Sequence, residues 1–224
     1  MRDTHEGIVL CCMARYPRPG TAKSRLAAAL GETAAHRLYV AMLRTTLERL
    51  AGLPGVRRCW HVAGGGAAEA RRLLTDWNLE HVWEVEVQSA GDLGDRLYEA
   101  ARSHLAEAGA VVFVGADSPT LPLPYLNRAL LALREVPFVL GPSTDGGYYL
   151  LGLNRLEEAV FRDVPWGSPG VFEATMRRLP RNEVALLPFW YDFDAPADLR
   201  LLRAERTESF PRLAAVLPDV GFQD

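Results

Sequence analysis

Cysteine is scarce in this chain, with three residues in 224: Cys11 and Cys12 side by side, and Cys59 alone. All three fall in strand-like runs, so there is no disulfide framework and no zinc-type cysteine spacing, and the expected setting is a reducing cytoplasm. Long apolar runs are missing as well. The run Ile8 to Ala14 is far short of the roughly 20 residues that cross a bilayer. It also lacks the build of a signal peptide, so a soluble, unprocessed protein with no membrane partner is expected. Neither sign of charge dominates: 25 Lys and Arg stand against 28 Asp and Glu, a formal net charge of −3. That balance excludes a generic nucleic-acid surface, so any anion must be small and met by a local cluster of cations. Several familiar motifs are absent too. There is no Gly-Lys-Ser/Thr phosphate loop, Gly64-Gly65-Gly66 lacks the rest of a dinucleotide fingerprint, and no Gly-x-Ser-x-Gly elbow offers a nucleophile. His5, His36, His61, His81 and His104 are scattered without ligand spacing and read as surface or structural residues.

What is present reads as a layered α/β chain. Apolar residues make up 49% and charged residues 24%, which excludes disordered and fibrous classes. Strand-like runs alternate with segments of helical period. Strands are predicted at Ile8 to Ala14, Arg57 to Ala63, Val82 to Gln88, Ala110 to Gly115, Val136 to Gly141, Tyr148 to Leu153 and Glu183 to Pro188. Helices are predicted from near Ala22, over Glu32 to Leu50, Ala67 to Asp76, Asp92 to Ala108, Pro122 to Arg134, Pro169 to Leu179 and Pro196 to Arg206. No linker or internal repeat divides the chain, so one domain over residues 1–224 is expected. Leu213 to Val220 suits packing on this domain or on a second subunit equally well.

Open α/β sheets bind ligands at the carboxyl ends of their strands, and four loops there carry chemistry. The first, Arg15 to Leu26, holds the cations Arg15, Arg18, Lys23 and Arg25 around Gly20. A strand that empties into such a loop and then a helix suits a phosphate, with Gly20 allowing close approach; an ordinary solvated basic turn is the alternative. The second, Gln88 to Arg96, suits a base or ribose near Gln88, Gly91 and Asp92, or simply an Asp-capped helix start. The third sets Asp117 directly after the most buried strand, where an acid can hold a hard cation, or form an Asx turn or cap before Pro119. The fourth has two parts. In Asp192-Phe193-Asp194 the two carboxylates, two residues apart on extended backbone, point the same way and can meet one ion, unless one of them caps the following helix. Asp145-Gly146-Gly147 reads first as a hairpin turn and second as an acceptor loop.

The ordered set Pro19-Gly20-x-x-Lys23-x-Arg25-Leu26, Gly91-Asp92-Leu93-Gly94, Gly115-Ala116-Asp117-Ser118-Pro119, Gly141-Pro142-x-x-Asp145-Gly146-Gly147-Tyr148-Tyr149, Pro165-Trp166 and Asp192-x-Asp194-x-Pro196-x-Asp198-Leu199 resembles the nucleotide-diphospho-sugar transferase superfamily. Within it the chain looks like the small bacterial GT-A-like proteins described as glycosyltransferases, some linked to arsenosugar formation. It is more distantly similar to guanylyltransferases of molybdenum-cofactor and deazaflavin-cofactor synthesis. The resemblance runs from Val9 to about Leu202. It implies a three-layer α/β/α fold with a mixed, mainly parallel sheet, and a metal-dependent transferase that takes a nucleotide donor and a small acceptor. Glycosyl transfer comes first, with nucleotidyl transfer from a nucleoside triphosphate, or a non-catalytic nucleotide sensor, as the alternatives. By the same resemblance Lys23 and Arg25 meet donor phosphates, and Gly91 and Asp92 lie near the base or ribose; Arg15, Gly20 and Gln88, in the same loops, are further candidates for binding the donor. Asp117 with Asp192 or Asp194 holds Mg²⁺ or Mn²⁺. Asp145 joins Lys23, Arg25 and Asp117 in catalysis, and Gly146, Gly147, Tyr148, Tyr149 and Trp166 face the acceptor. The group more often shows Ser-Thr where this chain has Gly167-Ser168, so no hydroxyl contact is carried to position 167.

Overall fold

The computed structural model describes residues 7–21, 23–204 and 209–216. The apolar runs become strands β1 (Ile8–Arg15), β2 (Arg57–Ala63), β3 (Glu84–Val87), β4 (Ala110–Gly115), β5 (Phe138–Pro142), β6 (Tyr148–Leu153) and β7 (Val184–Leu186). They form one seven-stranded sheet in the order β3-β2-β1-β4-β6-β5-β7. β1 to β4 are parallel, and β6 runs antiparallel to both β4 and β5, with β7 parallel to β5. The sheet is therefore mixed and mainly parallel. Residues Ala110 to Val114 of β4 are all buried, as a central strand with helices on both faces requires.

The helices are α1 (Ser24–Leu30), α2 (Glu32–Ala51), α3 (Ala67–Asp76), α4 (Leu93–Leu105), α5 (Leu123–Ala132), α6 (Val171–Met176), α7 (Asp198–Ala204) and α8 (Pro211–Val216). Leu43 and Leu47 of α2, Leu74 of α3 and Leu126 of α5 pack with Leu10, Trp60 and Val112 on one sheet face. Leu97 and Ala101 of α4 and Met176 of α6 pack with Val9, Cys59, Val111 and Phe113 on the other. The alternating strand residues feed the two faces, which gives three layers. No helix among the described residues is long and apolar enough to cross a membrane.

Chain order positions the site. From β1 the chain winds outward through β2 to β3, then α4 carries it back to β4 on the other side of β1. The loops after β1 and β4 therefore leave adjacent strands in opposite senses, opening the crevice at which such sheets bind ligands. A third apolar cluster of Leu26, Leu38, Met42, Phe193, Leu199 and Leu213 closes one side of that crevice. Leu213 is thus packed within its own chain, against the α2 side; residues 217–220 lie outside the described set.

Two expectations change here. The first helix starts at Ser24 and has seven residues, because Lys23 takes a left-handed backbone conformation, φ 59°, which a right-handed helix cannot include; Ala22 is outside the described residues. Two of the scattered histidines also meet: Nε2 of His61 lies 2.8 Å from Nε2 of His104, and both rings are buried. Burial pulls the His61 imidazole down to about 4, helped by His104, and it holds His104 below its ordinary value. Both rings are therefore neutral near pH 7. His36 instead meets the Pro17 carbonyl at 3.0 Å, and His5 lies outside the described residues.

Candidate active site

An open cavity of about 900 Å³ fills the crevice, with Arg15, Gly20, Lys23, Gln88, Arg96, Asp117 and Asp194 on its walls. A smaller cavity of about 200 Å³ adjoins it, walled by Leu97, Phe113, Tyr148, Tyr149, Leu151 and Asp192. Met13, Leu93 and Asp117 border both. Asp117, first residue beyond Gly115-Ala116 at the end of β4, therefore stands where a polar chamber meets a largely apolar one.

Lys23 organises the polar chamber. Its ammonium donates to the Phe193 carbonyl at 2.6 Å, lies 2.7 Å from Asp117 Oδ1, and is in contact with Asp194 Oδ1. The lysine side chain is only 4% exposed, whereas those of Asp117 and Asp194 are 46% and 48% exposed. Burial pulls the ammonium's pKa down, but the two carboxylates outweigh it and hold the lysine above its ordinary value. The left-handed backbone at Lys23 costs roughly 1–2 kcal/mol and turns a side chain from the loop into this three-way contact.

Phe193, fully buried among Leu26, Leu38 and Met42, anchors Asp192-Phe193-Asp194. Its amide donates to the Asp117 carbonyl at 2.8 Å, and Asp198 accepts from the amides of Asp194 and Ala195 at 3.0 and 2.7 Å. The two carboxylates on either side of Phe193 then go to different partners. Asp194 meets Lys23, while Asp192 accepts from the hydroxyls of Ser118 and Ser143, the latter at 2.9 Å. Burial pushes Asp192 up to about 6; the Ser118 hydrogen bond opposes this, repulsion from Asp117 adds to it, Ser143 opposes it, and Asp145 adds a smaller push.

The expected residues divide accordingly. Arg15, Gly20, Lys23 and Gln88 line the large cavity, and Tyr148 and Tyr149 the small one. Lys23 faces carboxylates rather than open solvent, because its buried position demands counter-charges. Arg25 is exposed and lines neither cavity, since the seven-residue α1 turns Leu26 inward and Arg25 away. Arg18 is drawn off to Glu69, at 2.7 Å. Gly91 and Asp92 line neither cavity: Asp92 caps α4, accepting from the Asp95 amide at 2.9 Å, so the helix-cap reading applies. Asp145 is exposed and accepts from the Gly147 amide at 2.9 Å, holding the turn between β5 and β6 instead of facing a cavity.

Gly146 and Gly147 belong to that turn. A Cβ on Gly146 would lie 2.1 Å from the Pro169 carbonyl oxygen, which accounts for the glycine by packing alone. Trp166 packs edge-on against Tyr148, with ring centres 6.2 Å apart, and stands behind the wall of the small cavity. Arg96 and Leu93 were missed as site residues. They sit three apart on α4 and share the face that borders the large cavity.

A divalent ion fits two of the three expected acids. Mg²⁺ commonly takes one or two carboxylates and completes its shell with water and phosphate oxygens, and the half-exposed Asp117 and Asp194 offer that much on one rim. Asp192 does not join them, because the two serine hydroxyls hold it in the neighbouring chamber. Among the described residues, the one group of three or more Cys, His, Asp or Glu whose donor atoms lie within 4.8 Å of one another is elsewhere, at Cys59, His61, Glu86 and His104.

Residues 46–168 match the family described as "Uncharacterized protein conserved in bacteria (DUF2064)", more than half of the chain. The chain belongs to this family. The part of this DUF2064 protein that matches runs from the second half of α2 to beyond Trp166. It includes Leu93, Arg96 and Asp117, and leaves out Lys23 and Asp194. No curated protein sequence matches it. Its structure is similar to that of a candidate nucleotide-diphospho-sugar transferase from Desulfovibrio desulfuricans G20, at 28% identity and TM-score 0.86 over 96% of this chain and 95% of the other. The superfamily resemblance seen in the motifs thus holds for the whole fold. A cytidylyltransferase from Leptospira borgpetersenii serovar Hardjo-bovis shares the fold at 13% identity and TM-score 0.58, over 98% and 99% of the two chains. So does Rv0371C of Mycobacterium tuberculosis H37Rv, solved in complex with manganese, at 20% identity and TM-score 0.53 over 89% and 99%.

Proposed function

We propose that this DUF2064 protein is a nucleotide-utilising transferase, and that it moves a glycosyl group from a nucleotide-diphospho-sugar to a small hydroxyl acceptor. The observation that carries this reading is the pair of cavities meeting at Asp117. The larger has the size and the cations for a nucleotide donor; the smaller has room only for a compact acceptor between aromatic and apolar walls. The donor diphosphate lies along Arg15, Gly20 and Arg96, with Gln88 and Leu93 flanking the nucleoside. Asp117 and Asp194 would hold Mg²⁺ or Mn²⁺, which when bound neutralises charge on the departing diphosphate. Lys23 keeps these two carboxylates together and adds its own positive charge at the same rim.

Asp192 completes the acceptor side. A carboxylate held near pKa 6 is matched to accept a proton at neutral pH. As the bond from the sugar carbon to the diphosphate oxygen breaks and one to the acceptor oxygen forms, Asp192 takes the acceptor's proton. Nucleotidyl transfer from a nucleoside triphosphate is the second reading, favoured by the lone Asp117 after β4 and by the cytidylyltransferases among proteins of this fold. A thermal-shift panel separates the two, setting nucleoside triphosphates against nucleotide-diphospho-sugars, each with and without Mn²⁺. Metal-dependent stabilisation by a nucleotide-sugar is the expected result. A response confined to triphosphates moves the protein to nucleotidyl transfer, and a bound donor that never turns over with any acceptor makes it a sensor.

A further inference from the structure

The histidine pair beside the β3 edge of the sheet is part of a larger group that the transferase reading does not use. Cys59 and His61 are two apart on β2 and so share a face. Glu86 is His61's register partner on β3, and His104 reaches the same point from the last turn of α4. Cys59, His61 and His104 are buried. Glu86 lies 3.9 Å from His61 Nε2 and 4.0 Å from His104 Nε2. The neighbouring arginine, Arg57, pairs instead with Glu84 at 3.7 Å and Glu107 at 3.3 Å. The carboxylate is thus turned onto two neutral imidazoles.

We propose that Cys59, His61, Glu86 and His104 form a second metal site, one that takes a Zn²⁺-class ion and pins the short edge strand β3 to β2 and α4. One thiolate, two imidazoles and one carboxylate is a zinc-type donor set, unlike the all-oxygen set that Mg²⁺ prefers. Zinc bonds of about 2.0–2.3 Å put adjacent donors of a tetrahedron roughly 3.3–3.8 Å apart. The present donors all lie within 4.8 Å of one another. The imidazoles at 2.8 Å must part by roughly half an ångström, and the carboxylate must close by about as much. On binding, the Cys59 thiol gives its proton to solvent, and the imidazole that carries a proton on Nε2 shifts it to Nδ1. Glu86, 43% exposed, gives the ion a route in from the sheet edge.

The test is a titration of the chelator-stripped full chain with Co²⁺, a visible stand-in for Zn²⁺, followed by displacement with Zn²⁺. One equivalent with tetrahedral bands and a thiolate charge-transfer band is expected. The thiolate band disappears in Cys59→Ser and persists in Cys11→Ser, whose cysteine is the register partner of Cys59 on β1. It also persists in Asp117→Asn, which separates this site from the transferase rim. Glu86→Gln, a change at the solvent edge that leaves the buried donors in place, weakens Co²⁺ at least about tenfold, a loss that even outer partners of metal sites produce. No stoichiometric binding by the folded native chain, or a thiolate band that survives Cys59→Ser, overturns the proposal.

Discussion

Replacing Lys23 by methionine keeps the buried stem and removes the ammonium. Three contacts disappear at once, to the Phe193 carbonyl, Asp117 and Asp194. A hydrogen bond to a charged group contributes about 1.5–3 kcal/mol, and full breakage of a buried pair costs more because a charge is left dry. Here the abandoned carboxylates are nearly half exposed and regain water, so the loss stays near one strong contact, roughly 2–3 kcal/mol. In a chain of this length that lowers Tm by roughly 4–12 °C in a calorimetric or fluorescence melt. With the ammonium gone, Asp117 and Asp194 repel, so Mn²⁺ should raise the Tm of the variant more than that of the native protein. Lys23→Arg should not restore stability, because a planar fork does not fit a pocket built around a point charge. A native-like Tm for Lys23→Met, with no added response to Mn²⁺, would refute the claim that this lysine organises the rim.

Three further outcomes follow from the same geometry. Phe193→Ala empties a fully buried site and should cost about 3–5 kcal/mol in urea denaturation. It should also abolish donor-induced stabilisation, since both flanking aspartates lose their anchor. Asp192 is raised in the folded state to about 6 from 3.8, so its contribution favours the fold below pH 4 and is lost as pH rises through 6. The Tm difference between Asp192→Asn and the native chain should therefore move in favour of the variant between pH 4 and pH 7, while turnover in the variant collapses; a pH-independent difference contradicts the raised pKa. Gly94→Ala places a Cβ 2.3 Å from the Phe161 carbonyl oxygen and 2.4 Å from Trp166 Nε1. It should cost about 1–3 kcal/mol and shift the tryptophan emission, and an unchanged spectrum would show that the Trp166 wall tolerates the change.

The sheet was legible because most of its strands are short apolar runs bounded by turn residues, and β2, β4 and β6 match their predicted ranges; β3, Glu-Val-Glu-Val, shows only as an alternation. The site was legible only where local sequence decides geometry. Asp117 follows the central strand β4, which is buried up to Gly115, and a carboxylate there has little choice of place; β5, buried along its whole length, is the more buried strand. The partners of Lys23 were not readable, because the lysine meets Asp194 from 171 positions away, and no local pattern distinguishes a phosphate-binding cation from one that neutralises distant acids. Asp92 and Asp145 were ambiguous for the opposite reason: a helix cap and a hairpin turn use the same residue types as a ligand loop. Arg96 could have been found, three residues after Leu93 on a helix that opens at the ligand edge. The Cys59-x-His61 pair was visible on one strand face, but His104 joins it only through the packing of α4.

The central claim is that a nucleotide donor occupies the crevice between β1 and β4, with a divalent ion at Asp117 and Asp194. Calorimetric titration of the native chain with a nucleotide-diphospho-sugar and Mn²⁺, beside Asp117→Asn and Arg96→Ala, tests it most directly. The account predicts one Mn²⁺-dependent site, weakened about tenfold or more by either substitution, as the loss of a charged contact of about 1.5–3 kcal/mol requires. Donor binding that is indifferent to Mn²⁺ and to both substitutions would contradict it.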